Sequence, residues 1–95
     1  MLNIEKTPEM LAVARRVMWS SPPAESLDEP VLFLAHVMTY GLLEDVVAVR
    51  KMLGVEAFRK CLEAAPPGIF DARSWHYWNL LYDRWPCPPM PTRDL

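Results

Sequence analysis

The chain has 95 residues, of which 52% are hydrophobic and 23% charged, and its formal net charge is −2. This length and composition predict one globular domain, residues 1–95, and exclude a disordered chain. The small negative charge disfavours nucleic acid as a partner, because nucleic-acid-binding domains usually carry a basic excess. No apolar run approaches the ~20 residues that cross a bilayer, so we expect no membrane contact.

The two cysteines and the first residues bear on cofactors and location. Cys61 and Cys87 stand far apart and match no metal-binding or redox spacing. Residues 1–6 lack the basic start and apolar run of a secretory signal. We therefore expect free thiols, no metal, no cofactor and a cytoplasmic location.

The first predicted helix begins with Thr7 as its cap and Pro8 in its first turn. Its apolar residues recur at the spacing of one buried face: Met10, Val13, Ala14 and Val17. Residues 21–23 end it near Trp19. A second helix is predicted to begin within residues 26–30.

The second helix runs to Gly41, and residues 31–38 are apolar almost all round. That pattern indicates a central helix covered on several sides. The third helix is predicted from Leu43 to Leu53, and residues 44–45 supply acids to its first turn. A fourth follows Gly54 and buries one face, formed by Phe58, Cys61, Leu62 and Ala65.

The fifth predicted helix, residues 72–84, follows the Pro-Pro-Gly break and has Asp71 as its cap. One apolar edge contains Trp75, Trp78 and Tyr82; a second contains Tyr77, Leu80 and Leu81; a polar stripe contains His76, Asn79 and Asp83. Such a helix can bury one edge against the body and leave the other for a partner.

The residues after the fifth helix are rich in proline, which predicts an extended, polyproline-like tail over residues 86–95. The whole pattern predicts an all-α bundle of about five short helices, residues 7–85, followed by this tail. The tail can dock on the domain's own aromatic side chains, which Trp85 and Met90 favour, or occupy a partner's groove.

The chain's candidate chemical groups do not assemble into a catalytic set, so we predict that it is not an enzyme. His36 lies in the apolar helix and fits a core histidine bonded to a nearby carbonyl better than a ligand. A DNA-binding alternative would use the basic residues flanking Gly54, which are Arg50, Lys51, Arg59 and Lys60. Acidic residues in the same stretch offset that charge.

The aromatic segment near the C-terminus favours a protein partner, because Trp, Tyr and Arg dominate the energetics of interfaces. The predicted partner-binding residues are Arg73, Trp75, Tyr77, Trp78, Arg84 and Trp85. The alternative is a homodimeric structural protein whose aromatic residues close a symmetric seam.

Three stretches carry a family resemblance: FLAHVMTYGLLEDV at 33–46, RKMLGVEAFRKCL at 50–62 and RSWHYWNLLY at 73–82. Over residues 30–92 the chain resembles a family of short, uncharacterised bacterial helical proteins. They are often encoded beside nucleotidyltransferase toxins of the AbiEii kind and are regarded as antitoxins. The resemblance implies a small protein that binds and restrains such an enzyme. It implies no catalytic residues.

Overall fold

A computed structural model describes residues 2–92 of the chain and contains six helices in that range. They are α1 (Pro8–Val17), α2 (Pro23–Leu27), α3 (Pro30–Tyr40), α4 (Leu43–Leu53), α5 (Val55–Glu63) and α6 (Ala72–Leu81). The described residues contain no strand, which confirms the all-α class. None of these helices has both the length and the apolar character needed to cross a membrane.

Side-chain caps account for two of the predicted helix starts. Thr7 Oγ1 accepts the backbone N–H of Met10 at 3.1 Å, at the first turn of α1. Asp71 Oδ1 accepts the backbone N–H of Ser74 at 2.7 Å, at the first turn of α6. Each oxygen satisfies a donor that has no partner within the helix, so both predicted caps are confirmed.

The predicted count of about five helices is not confirmed, because the segment before Pro30 forms the separate short helix α2. Proline disfavours helical backbone at the residue before it, and Glu29 has φ −120° and ψ 75°. The central helix therefore begins at Pro30. The last helix ends at Leu81, earlier than predicted, and Asp83 has a left-handed φ of 56°.

The core is built around α3, which packs against each of the other five helices. Phe33, Leu34, Ala35 and Val37 of this helix are fully buried. The four predicted apolar positions of α1 are buried as well. The central position of the apolar helix was therefore a correct prediction.

Two glycines at the ends of helices meet different demands of the backbone. A Cβ on Gly41 would lie 2.5 Å from the carbonyl oxygen of Val37, which is a clash with backbone. Gly54 has φ +85° and ψ 165° between α4 and α5, a conformation essentially confined to glycine. These residues let α4 follow α3, and α5 follow α4, with almost no intervening loop.

The described part of the proline-rich tail, residues 86–92, lies against the helical body. Trp75 Nε1 donates to the carbonyl oxygen of Pro88 at 2.7 Å, and Cys87 and Met90 pack against the core. The predicted tail extends to residue 95, and residues 93–95 lie outside the described range.

Candidate protein-docking groove

The two apolar edges of α6 have different surroundings. Trp75 and Trp78 are 4% and 7% exposed, and we call them the inner edge. The indole N–H of Trp78 donates to the carbonyl oxygen of Met38 at 2.8 Å, so its polar atom is satisfied inside the core. The inner edge thereby attaches α6 to α3.

Aromatic stacking continues the inner edge into α5. The Trp78 ring stacks on Phe58 at a centroid distance of 5.3 Å and an interplanar angle of 18°. Tyr82 also stacks on Trp78, at a centroid distance of 6.4 Å, and donates its hydroxyl to the carbonyl oxygen of Val55 at 2.8 Å. Burial is the main cause that raises the pKa of Tyr82 above its ordinary value. These contacts hold α5 against the end of α6.

The predicted polar stripe of α6 divides between core and solvent. His76 and Asp83 are exposed, whereas Asn79 is fully buried. The amide of Asn79 donates to the carbonyl oxygen of Trp75 at 2.8 Å, one turn earlier. A polar side chain that bonds to its own helix can occupy a buried position at a smaller desolvation cost.

The outer edge of α6 is Tyr77, Leu80 and Leu81, which are 59%, 63% and 58% exposed. On α4 and α5, Leu43 and Val55 are also exposed, at 80% and 52%. Isolated exposed apolar residues are ordinary in proteins, whereas a contiguous group of them marks an interaction surface.

A groove separates the outer edge of α6 from α4 and α5, and we call it the α4–α6 groove. One section has a volume of about 360 Å³ and is lined by Leu43, Val46, Val47, Arg50, Val55, Phe58, Tyr77, Trp78, Leu81 and Tyr82. The adjoining section has a volume of about 340 Å³ and is lined by Met38, Gly41, Leu43, Val46, Arg73, Ser74, Tyr77 and Trp78. The two sections share four lining residues and therefore lie side by side between α4 and α6.

The charged groups that line the groove have one sign. Arg50 lines one section and Arg73 lines the other. Within residues 2–92, no acidic side chain lines either section, and neither guanidinium belongs to an ion pair. Arg59 differs, because it pairs with Glu56 at 3.4 Å and covers the Tyr82 ring at 5.3 Å.

A buried carboxylate holds the start of α4, which forms one wall of the groove. Asp45 is 1% exposed; its Oδ2 accepts the backbone N–H of Leu42 at 3.0 Å, and its Oδ1 accepts Arg16 Nε at 2.9 Å. The hydrogen bond to Asp45 is the main cause that raises the pKa of Arg16. The predicted helix-terminal role of Asp45 is confirmed, but its pairing with α1 was not predicted.

The structure divides the six predicted partner-binding residues between core and surface. Trp75 and Trp78 are core residues of this chain, and Arg84 is partly buried. Arg73, Tyr77 and Trp85 are exposed, and Trp85 is 71% exposed. Among these six residues, Arg73, Tyr77 and Trp78 come together as parts of the groove lining.

The wall of the groove opposite α6 was not predicted from the sequence. Leu43, Val47 and Arg50 line it from α4, together with Val55 at the start of α5. The sequence does contain a pattern that indicates this wall. Positions 43, 47 and 50 follow helical spacing and include two apolar residues, Leu43 and Val47, outside the buried face of α4.

The remaining candidate groups lie on different helices of the described chain. His36 Nδ1 lies 2.8 Å from the carbonyl oxygen of Leu32, so the predicted bond to a nearby carbonyl is present. The predicted core position is wrong, because His36 is only half-buried and lines a surface pocket beside Trp19 and Tyr40. Residues 2–92 bring no three His, Cys, Asp or Glu side chains together in a metal-binding arrangement. The basic residues Arg50, Lys51 and Lys60 are exposed on α4 and α5.

Comparisons with protein-family models, with curated proteins and with solved structures found no match for this chain.

Proposed function

We propose that this chain is a non-enzymatic protein-binding module, an antitoxin-like partner that neutralises a nucleotidyltransferase-type toxin. The observation that carries the binding role is the α4–α6 groove, whose apolar walls are exposed on both sides. Leu43 and Tyr77 stand across it at 80% and 59% exposure. A protein gains affinity from such residues when a partner removes them from water.

The inner edge of α6 adds a second argument, because it makes the docking surface rigid. Trp78 forms part of the groove lining while its ring stacks on Phe58 and its indole N–H is bonded to Met38. A surface held in this way loses little conformational freedom on binding. Rigid anchors of this kind suit an inhibitor that must remain bound to its target.

The choice of partner rests on the family resemblance of residues 30–92. Members of the family that the chain resembles are often encoded beside nucleotidyltransferase toxins, and a neutralising partner needs an anchor rather than catalytic groups. Tyr77, Leu81 and Trp85 are the exposed anchors that this chain offers at the end nearest its tail.

The test is co-expression with the nucleotidyltransferase encoded beside the gene. We expect restored growth, a stoichiometric complex in solution and loss of nucleotidyl transfer by the purified enzyme. A gene neighbourhood without such an enzyme, or an enzyme that stays fully active with excess chain present, overturns the proposal.

A matched pair of tyrosines checks whether the proposed surface makes the contact. Tyr77→Ala removes a groove residue and should weaken the complex by about 2–4 kcal/mol if the tyrosine is an interface anchor. Tyr40→Ala is the control, because Tyr40 is 62% exposed and lies outside the groove lining. Equal binding by both variants would move the contact elsewhere on the chain.

A further inference from the structure

The charge of the α4–α6 groove narrows the kind of segment that fits it. We infer that the groove holds an amphipathic helix of the partner, apolar along one face and flanked on both sides by acidic residues. This inference rests on the proposed function in taking the occupant to be a protein. It adds the secondary structure and the charge of the segment that docks.

The lengths of the groove walls fit a short helix. α4 has 11 residues and α6 has 10, so each wall is roughly 15 Å long at 1.5 Å per residue. A partner helix of about three turns spans that length and places three or four apolar side chains on one face. Leu43, Val47, Val55 and Leu81 offer the matching apolar contacts.

Other modes of peptide recognition fit the groove less well. Residues 2–92 have no strand, so the described chain offers no sheet edge for an added strand. Proline-rich ligands need open aromatic faces, but Phe58 and Trp78 are 1% and 7% exposed. Tyr77 is the one lining aromatic residue of the groove that is mostly exposed, and the exposed apolar residues beside it, Leu43, Val55 and Leu81, are aliphatic.

The arginines determine the charge that the occupant should carry. Arg50 and Arg73 lie in the two adjoining sections, so acidic residues flanking an apolar face would meet a guanidinium in each. A second copy of the chain fits poorly, because a two-fold interface pairs the same patch with itself. It would bring two positive linings together.

Three synthetic peptides test the inference directly. The first two are helical peptides of about 14 residues with the same leucine face, one flanked by glutamates and the other by lysines. The third has the sequence of residues 86–92 of this chain. Binding is measured by fluorescence anisotropy, and the site is located by methyl NMR shifts of Leu43, Val47 and Leu81.

We expect the glutamate peptide to shift these methyl groups and to bind at least about tenfold more tightly than the lysine peptide at low salt. Added salt should narrow that ratio because it screens exposed charges. The double variant Arg50→Glu/Arg73→Glu should reverse the preference. Equal binding of both helical peptides, or tighter binding of the proline-rich peptide, overturns the inference.

Adjacent leucines provide a control within α6. Leu81 lines the groove and Leu80 does not, although they are 58% and 63% exposed. Leu81→Glu should abolish binding of the glutamate peptide, whereas Leu80→Glu should leave it within about twofold, with circular dichroism confirming that both variants fold. Equal effects of the two variants overturn the groove as the site.

Sedimentation and toxin neutralisation separate the remaining outcomes. A dimer of the chain alone that Leu81→Glu converts to a monomer would make a second copy the occupant and overturn the inference. Toxin neutralisation without peptide binding would overturn the helix inference and leave the proposed function standing. Peptide binding with the expected charge preference, but no neutralisation, would support the groove and overturn the proposed function.

Discussion

The inner and outer edges of α6 are made of similar residues and have opposite surroundings. Trp78 is 7% exposed and Tyr77, its neighbour in sequence, is 59% exposed. Trp78 has a hydrogen-bond acceptor in Met38 and a stacking partner in Phe58. Tyr77 contacts Trp78 edge-on at 5.5 Å but borders the open groove.

This contrast shows that an aromatic residue at helical spacing can stabilise the fold or serve as a surface for a partner. The indole of Trp78 lies where an acceptor on α3 and a ring on α5 converge, so its burial leaves no polar atom unsatisfied. Tyr77 and Leu81 of the outer edge line the groove, where no helix of the described chain covers them. Substitutions on the two edges should therefore change different properties.

The largest expected effect is on the inner edge. Trp78→Ala should lower the free energy of unfolding by about 3–5 kcal/mol, because it removes buried area and leaves a cavity. Tyr77→Ala should change it by less than about 0.5 kcal/mol. Urea unfolding followed by circular dichroism measures both. A comparable loss in the two variants would remove the distinction between the edges.

A smaller effect is expected where Asp45 fixes the wall of the groove. Asp45→Ala removes the acceptor for the backbone N–H of Leu42, the N-cap of α4, and the partner of Arg16, and should cost about 1–3 kcal/mol. Arg16 is 48% exposed in its side chain, so water can solvate its charge in the variant. Glu44→Ala is the control on the adjacent, exposed acid. Equal melting temperatures for the two variants would show that the bonds of Asp45 to Leu42 and Arg16 do not stabilise the fold.

Gly54→Ala should lower the free energy of unfolding by about 1 kcal/mol, because alanine at φ +85° is strained even in open space. No atom lies within 4 Å of the added Cβ, so the cost comes from the backbone alone. This variant disturbs the α4–α5 junction without changing either edge of α6, so it is a reference for the substitutions on the two edges. Stability equal to wild type in urea unfolding would contradict the strain argument.

The smallest effect on stability at neutral pH is expected from substitutions of the two cysteines. Like the two edges of α6, Cys61 and Cys87 differ in burial. Cys61 is fully buried, and burial raises its pKa from 9.0 to about 12. The folded state holds this proton more tightly than the unfolded state. The contribution of the protonated Cys61 thiol to the free energy of unfolding is therefore fully present below pH 9 and decreases as the pH rises towards 12.

Two measurements check the cysteine prediction. The difference in unfolding free energy between wild type and Cys61→Ala should be constant below pH 9 and shrink above it. A thiol reagent at pH 8 should modify the partly exposed Cys87 and leave Cys61 unmodified in the native state. Equal reaction rates would show that the core opens readily.

Local signals in the sequence determined much of the helical framework. Thr7 and Asp71 cap helices because a hydroxyl or carboxylate oxygen reaches a nearby backbone N–H, an interaction within four residues. The periodic apolar face of α1 and the continuous apolar stretch of α3 indicated what each helix would bury. The α2 helix was missed because a helix of five residues is too short to show a period.

The sequence also indicated two apolar edges on the last helix, but which of them is buried depends on how the helices pack. The decision depends on Met38 and Phe58, which are 40 and 20 residues from Trp78 along the chain and meet it only after the helices pack. The pairing of Asp45 with Arg16 and the opposite wall of the groove depend on the same packing. Hydrogen-bond caps and periodicity are local, whereas a groove is the space left between helices that the chain brings together.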